Sequence, residues 1–223
     1  MQVWVVIPAY NERFSLAGVL EEVKEKGLSV LVVDDGSVDN TYEVAKKKAD
    51  FVIRNKKNFG KGMSLNKGIE YLLKNVDFDY IVTMDADGQH SPLDLDKFLK
   101  QAEAEIPFVV GNRMVNPKGM PLLRIMTNTF MSWLISKTAG QKIPDTQCGF
   151  RLIKKEVLEK INITTRKYEI ESEIIIKAAR LGVPIKSIPI RSVYFKNQQS
   201  KIRPLRDTVR FLKFIFNKEN QNH

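Results

Sequence analysis

Three short segments of this chain put carboxylates where chemistry is plausible: Pro8-Ala9-Tyr10-Asn11-Glu12, Asp34-Asp35-Gly36-Ser37-Val38-Asp39-Asn40-Thr41, and Asp85-Ala86-Asp87-Gly88-Gln89-His90. Each directly follows an apolar run. Any one of them alone is explained by turn chemistry, because Asp, Asn, Ser and Gly favour turns for local reasons. Three converging on one rim repel one another, and such a rim needs a cation or hydrogen-bond donors to be stable. Oxygen donors without cysteine or a histidine cluster suit Mg²⁺ or Mn²⁺, which bind diphosphates while keeping some waters. Asp85 and Asp87, an Asp-x-Asp pair on a turn, can address one site from two directions. The two common phosphate cradles are missing. No Gly-x-Gly-x-x-Gly follows the first strand, and Asn58-Phe59-Gly60-Lys61-Gly62 lacks the Gly-Lys-Ser/Thr ending of a phosphate loop. Phosphate charge therefore falls to a metal and to side chains.

The elements that position these turns follow from periodicity. Val3–Ile7, Val30–Val33, Phe51–Ile53, Tyr80–Met84 and Phe108–Val110 are short β-branched or aromatic runs of the kind found in buried parallel strands. Helical patterns lie between them, at Ser15–Lys26, Thr41–Lys48, Lys61–Lys74 and Leu93–Ala104. Asp39 is a candidate N-cap for the second, and Ser91-Pro92 supplies a cap and a first-turn proline for the fourth. Repeated strand–helix–strand units predict a doubly wound α/β sheet, whose ligands bind beyond the carboxyl ends of the strands. The second half predicts a helix over Gly119–Lys137, a strand at Phe150–Ile153, a helix at Tyr168–Ala179 and a strand at Ile185–Val193. A last helix is expected from Pro204 to Asn217. No repeat, low-complexity linker or domain boundary is visible. The expectation is one domain over residues 1–203, with a basic amphipathic helix and tail over 204–223.

Composition narrows the function classes. The 223 residues carry a net charge of +10, and 43% of them are hydrophobic, which suits a globular domain. From Arg191 to His223, eight lysines and arginines face two acidic residues, leaving six net positive charges. A basic end points to an anionic partner: nucleic acid, lipid headgroups or a phosphorylated substrate. Cys148 is the only cysteine, so no internal disulfide forms and a reducing compartment is expected. The two histidines, His90 and His223, argue against histidine-rich metal sites and Ser/His/Asp hydrolases. The N-terminus meets Pro8 without a basic region and is read as a buried strand rather than a secretory signal.

Together with Asn58-x-Gly60-Lys61-Gly62, the three acidic segments resemble family 2 glycosyltransferases of the GT-A fold. Gly111-Asn112-Arg113, Asp145-Thr146-Gln147-Cys148-Gly149-Phe150-Arg151 and Ser200-Lys201-Ile202-Arg203 resemble, within that family, the polyprenyl-phosphate (dolichol-phosphate) mannosyl- and glucosyltransferases. The likeness runs from Val3 to about Arg203. It implies a single-domain GT-A fold with a mostly parallel sheet, flanking helices and the C-terminal amphipathic helix. It further implies that Pro8, Tyr10, Glu12 and Asp35 hold the donor nucleoside, with Asp34 beside them and Lys61 nearby. Asp85, Asp87 and Gln89 would bind the divalent metal, Mg²⁺ or Mn²⁺, on the donor diphosphate, with Ala86 near the ribose. Arg113 and Arg124 would hold the acceptor phosphate, and Arg203 would neutralise the leaving diphosphate. Asp87, Arg113 and Arg124 are the candidate catalytic residues. Two positions depart from the pattern: Cys148 stands where serine is frequent, and Asn128 replaces a hydroxyl one turn after Arg124.

Charge bookkeeping gives the expected mechanism. Transfer of a sugar needs stabilisation of the departing diphosphate as the anomeric carbon becomes cationic, and a metal supplies this by electrostatics. A lipid monophosphate is already anionic near pH 7 and needs positioning more than deprotonation. Arginines suit it through bidentate contacts. Single displacement inverts the anomeric centre. Asp145 is read as a structural carboxylate near the site, His90 as a turn residue, and Glu171 and Glu173 as residues fixing the helix behind the site. The apolar face of Leu122, Leu123, Met126, Phe130, Trp133 and Leu134 suits either the sheet or a membrane interface, being far short of a bilayer span. The terminal helix, with Arg203, Arg206, Arg210 and Lys213 among apolar residues, is read as membrane-facing.

The expected protein is thus an inverting hexosyltransferase, using a GDP-mannose- or UDP-glucose-type donor and a polyprenyl-phosphate acceptor, peripheral at the cytoplasmic membrane face. Transfer to a soluble saccharide or other hydroxyl acceptor shares its donor chemistry. A sugar-phosphate nucleotidyltransferase is the alternative of another class, disfavoured because no Gly-rich, basic turn follows the first strand. A nucleic-acid-binding module is disfavoured by the lack of aromatic–basic interleaving.

Overall fold

Strands form where β-branched residues run uninterrupted, because burial on both faces removes any need for polar alternation. The computed structural model of the chain describes residues 1–163 and 169–191. Its strands are β1 (Val3–Ala9), β2 (Ser29–Asp34), β3 (Phe51–Arg54), β4 (Tyr80–Thr83), β5 (Phe108–Asn112), β6 (Arg151–Lys154) and β7 (Ile185–Pro189). The helices are α1 (Ser15–Glu25), α2 (Thr41–Lys48), α3 (Lys61–Asn75), α4 (Leu95–Glu103), α5 (Leu122–Ala139), α6 (Lys155–Lys160) and α7 (Glu169–Arg180). A 3₁₀ turn at Pro92–Asp94 precedes α4. All strands join one sheet in the order β3-β2-β1-β4-β6-β5-β7. Its centre is packed from both sides: Val5, Val6, Ile7, Val30 to Val33, Ile81 and Val82 are wholly buried.

Among the described strands, only β6 runs against the rest. It pairs antiparallel with both β4 and β5, while β1–β2, β2–β3, β1–β4 and β5–β7 are parallel. A reversed strand begins where its neighbours end. The segment leading into β6 therefore lies on the same rim as the acidic turns after β1, β2 and β4.

Boundaries move for local reasons. The helix expected from Gly119 starts at Leu122, because Pro121 occupies the N-cap with an extended ψ of 139°, and it ends at Gly140 in the left-handed region. The strand expected to reach Val193 stops at Pro189, opposite Asn112 at the end of β5, with the Ile190 N–H donating the last bond to the Asn112 carbonyl at 3.2 Å. The short α6 was not expected. Asp39 does not cap α2 directly; Asn40 holds that position, and Asp39 accepts from the Thr41 N–H and hydroxyl instead. The helix expected from Pro204 to Asn217, and the tail after it, lie outside the described residues.

Two close approaches fix the frame of the site. Gly68 lets α3 sit on β1 and β2, since a Cβ there would be 2.7 Å from Val6 Cγ1. Gly36 has φ +72°, and a Cβ would lie 2.6 Å from the Lys57 carbonyl carbon. Backbone cannot yield as a side chain does, so Gly36→Ala combines a disfavoured φ with a clash. It is expected to cost about 2 kcal/mol or more, read as a lower midpoint in urea unfolding. An unchanged midpoint would show that the Lys57 loop moves freely.

Candidate active site

The rim is stitched together by its own turns. Asn11, with φ 54°, receives the Val38 N–H on its side-chain oxygen at 3.0 Å and donates its N–H to Ser37 Oγ at 3.0 Å. The Glu12 N–H donates to Thr41 Oγ1 at 2.8 Å. These bonds lock the loop after β1 to the loop after β2. Pro8, Tyr10 and Glu12 stand half-buried on that rim.

Asp34 and Asp35 are buried and brace the rim from beneath. Asp34 accepts from the Ser37 N–H at 3.2 Å and pairs with Arg54 Nε at 3.2 Å. Asp35 accepts from Asn55 Nδ2 at 2.8 Å and from the N–H groups of Phe59 and Gly60 at 3.0 and 2.8 Å. Asp35 thus fastens the Asn58–Gly62 loop, and so sets where Lys61 begins α3.

Lys61 reaches across the sheet end. Its Nζ lies 2.6 Å from Asp85 Oδ1 and 2.6 Å from Glu171 Oε1. Burial works against its charge, but the two carboxylates overcome this and hold it well above the ordinary lysine range. Burial would raise the Asp85 pKa, yet Lys61, His90 and Arg113 keep it well below the usual carboxylate range. Asp87 has the opposite fate. Burial, and then the negative charge of Asp85, push its carboxyl up to about 6, and Glu12 adds to the repulsion. Its Oδ1 accepts the Gln89 N–H at 2.9 Å. Ala86 turns its methyl into the core.

His90 is buried against the Phe150 ring at 5.2 Å. The Asp85 N–H donates to its Nδ1 at 3.3 Å, which places the remaining ring hydrogen on Nε2, 3.9 Å from Asp85 Oδ2. Burial pushes its pKa down to about 4, so the ring is a neutral prop for the turn. Beside Glu12 and Asp87, a groove of about 500 Å³ runs along α1, lined also by Phe14, Ser15, Glu22 and Pro92.

On the other side lies Arg113. Its Nε and Nη2 donate to Asp145 Oδ2 and Oδ1 at 2.8 and 2.9 Å, and its N–H donates to Oδ2 at 3.0 Å. Both residues are buried. Burial would lift the Asp145 pKa, but the Arg113 hydrogen bonds and charge pull it below 3.8. A depressed carboxylate pKa gives stability that is present above the unfolded value and lost as pH falls through the folded one. Asp145→Asn is therefore expected to be destabilising at pH 7, with the deficit against wild type shrinking below about pH 4. Urea midpoints at pH 7 and pH 3 check this; a deficit that does not shrink in acid would remove the charge from the explanation.

Arg151 closes the Asp145–Arg151 motif, and the motif alone gives it no task. It is wholly buried, donating Nε to the Cys148 carbonyl at 2.8 Å, Nη2 to that of Thr146 at 2.9 Å, and Nη1 to that of Glu171. One guanidinium thus sets the loop before β6 and the first turn of α7. Glu173, the other expected anchor of that helix, pairs with Lys177 at 2.8 Å. Cys148, in place of the frequent serine, is buried with its thiol pushed up to about 12. Arg124 is half-buried in the first turn of α5, and Asn128 is buried one turn on. Arg203 lies outside the described residues. The structure brings together Glu12, Lys61, Asp85, Asp87 and Arg113, and adds Glu171, whose pairing with Lys61 spans 110 positions and leaves no local signal.

The apolar face of α5 is turned outward. Leu122, Leu123, Met126, Phe130 and Trp133 are 50–73% exposed, whereas Asn128, Ser132, Ile135 and Ala139 are buried. Ser132 and Thr146 share a hydrogen bond at 3.1 Å on the inner side. Among the described residues, no helix is long and apolar enough to cross a membrane.

The mostly parallel seven-stranded sheet matches solved structures of the GT-A fold, and residues 4–162 match the glycosyl transferase family 2. The chain belongs to this family and is a glycosyltransferase. An uncharacterized protein of Methanocaldococcus jannaschii is 35% identical over 207 residues, covering 90% of this chain and 85% of its own. A UDP-N-acetylglucosamine–dolichyl-phosphate N-acetylglucosaminyltransferase of Methanococcus voltae is 29% identical over 216 residues, covering 86% of each chain. Among solved structures, glucosyl-3-phosphoglycerate synthase of Mycobacterium tuberculosis, in complex with Mn²⁺, UDP and glucosyl-3-phosphoglycerate, superposes with a TM-score of 0.72. It is 19% identical, and the match covers 96% of this chain and 77% of that one.

Proposed function

We propose that this protein transfers a hexose from a nucleoside-diphosphate sugar to a polyprenyl (dolichyl-type) phosphate, with inversion, at the cytoplasmic face of a membrane. The outward apolar face of α5, beside Arg124, carries this reading. A helix that buries Asn128 and Ser132 while exposing Leu123, Phe130 and Trp133 inverts the usual preference. An apolar surface of this kind fits an interfacial position, with Trp133 and Lys137 (cation–π, 5.4 Å) at the level of headgroups. The name of the M. voltae relative includes a dolichyl-phosphate acceptor, in keeping with this.

Asp85 and Asp87, with the Gln89 side chain, would hold Mg²⁺ or Mn²⁺. The fit rests on Asp87, whose carboxyl is held up by burial and then by the negative charge of Asp85, a condition that a cation relieves. Among the described residues no three His, Cys, Asp or Glu side chains form a complete cage. That is compatible with a hard cation held by one or two carboxylates and completed by substrate phosphates. Such an ion supplies positive charge to the departing diphosphate. Pro8, Tyr10, Glu12 and Asp35 would hold the nucleoside, with Asp34 beside them and Lys61 nearby. Arg113 and Arg124 would orient the acceptor phosphate so that its oxygen forms a bond to the anomeric carbon as the bond to the diphosphate oxygen breaks. Arg203 would add charge to the leaving group.

Incubation with radiolabelled GDP-mannose, UDP-glucose and UDP-N-acetylglucosamine, Mn²⁺ and polyprenyl phosphate is expected to give organic-extractable label with one donor. The paired change Phe130→Ser and Trp133→Ser should reduce that label in vesicles several-fold more than in detergent. Label that appears only on soluble hydroxyl acceptors would sink the lipid reading. Pyrophosphate release from a nucleoside triphosphate and a sugar phosphate would replace the transferase reading altogether.

A further inference from the structure

Lys61 is the cation that Asp85 already has. Its ammonium sits 2.6 Å from both Asp85 Oδ1 and Glu171 Oε1. The cluster is packed tightly: a Cβ on Gly149 would lie 2.9 Å from Lys61 Nζ and 3.1 Å from each of those oxygens. Gly149 is itself held, its carbonyl accepting from Thr83 Oγ1 at 2.6 Å. Glu171 is held too, because Arg151 binds its carbonyl. The geometry is that of one ammonium shared by two fixed carboxylates.

We infer that Glu171 is a positioning residue that retains Lys61 when Asp85 takes a divalent cation, and thereby sets the affinity of the metal site. The inference rests on the metal-assisted reading above. A divalent cation arriving on Asp85 repels the ammonium at Oδ1, so Lys61 is driven from that oxygen as the ion binds. If Lys61 had no second carboxylate, yielding would leave a poorly solvated charge without a partner, a costly state. With Glu171 in place, Lys61 gives up one ion pair and keeps the other, and it stands close to the incoming diphosphate. Glu171 acts through Lys61, and it also adds one negative charge to the neighbourhood of the metal.

Two substitutions then act in opposite directions. Glu171→Gln keeps the shape but removes the charge, so Lys61 falls back on Asp85 and the local potential becomes less negative. Both effects weaken metal binding. Lys61→Met removes the competitor and leaves two carboxylates facing the vacated position, which strengthens it. A residue that merely supports the helix would not give opposite signs.

The test is Mn²⁺ titration of the full chain with saturating UDP or GDP, whose phosphates complete the site, following the electron paramagnetic resonance signal of free Mn²⁺ against a protein-free control. Glu171→Gln should raise the apparent Kd about tenfold, the lower end of the effect seen for groups that orient metal ligands. Lys61→Met should lower it, and Glu171→Asp, which keeps the charge, should lie between wild type and Glu171→Gln. Circular dichroism reports that each variant is folded; should Glu171→Gln not fold, Lys61→Met and Glu171→Asp carry the same comparison. A folded Glu171→Gln with a Kd within about twofold of wild type, or a Lys61→Met that weakens binding, overturns the inference while leaving the metal reading standing. A wild-type chain that takes up no Mn²⁺ beyond that bound by the nucleoside diphosphate itself overturns both.

Discussion

Asp87→Asn is expected to lower kcat/KM for sugar transfer by about a thousandfold or more, with no loss of thermal stability. The kinetic half follows from magnitude. A metal contributes several kcal/mol to stabilising developing charge, and each 1.36 kcal/mol is about tenfold in rate. The stability half follows from sign. Burial and Asp85 raise the Asp87 pKa to about 6, so the folded protein resists ionising it near neutral pH. A raised carboxyl pKa means that stability declines as pH climbs from the unfolded value through the folded one. Asparagine mimics the protonated form, and its oxygen can still accept the Gln89 N–H. Melting at about pH 7.5 without metal should therefore match or exceed wild type. Near-normal kcat/KM would remove Asp87 from the reaction, and a collapsed melting temperature would recast it as structural.

Arg151→Met is expected to be the most destabilising single change in the site, by about 3 kcal/mol or more. Methionine fills part of the space but strands the loop carbonyls of Thr146 and Cys148, each at about 1–3 kcal/mol when buried without a donor, and releases the Glu171 carbonyl at the start of α7. Domains are stable by only about 5–15 kcal/mol, so a large share of the total is at stake. Arg151→Lys should recover little, since an ammonium cannot reproduce the planar fork. Urea unfolding measures the loss. A deficit below about 1 kcal/mol would mean that water reaches those carbonyls.

What the sequence conveyed, and what it withheld, follows from range. The runs at Val3, Val30 and Tyr80 were legible as strands because uninterrupted β-branched residues suit a doubly covered sheet. The acidic turns were legible because each follows its strand directly. The reversal of β6 was not, since the short run Arg151–Ile153 has the same pattern in either direction. Periodicity showed that α5 has an apolar stripe but not which way it faces; that is decided on the inner side, where Ser132 and Thr146 satisfy one another. The contacts of Arg151 and Glu171 were hidden because each acts on segments far away in the chain. The terminal basic segment, including Arg203, lies outside the described residues.

The reversed strand has one more consequence. Since β5 ends and β6 begins on the same rim, the whole stretch from Arg113 to Phe150 departs from and returns to a single end of the sheet. It is a detachable insert in the topological sense. Arg124, α5 and its outward face belong to it, whereas Glu12, Lys61, Asp85 and Asp87 belong to the frame. Lengthening or exchanging the insert leaves every strand pairing of β1 to β4 untouched. On the proposed reading, what receives the sugar lies on the insert and what delivers it lies on the frame.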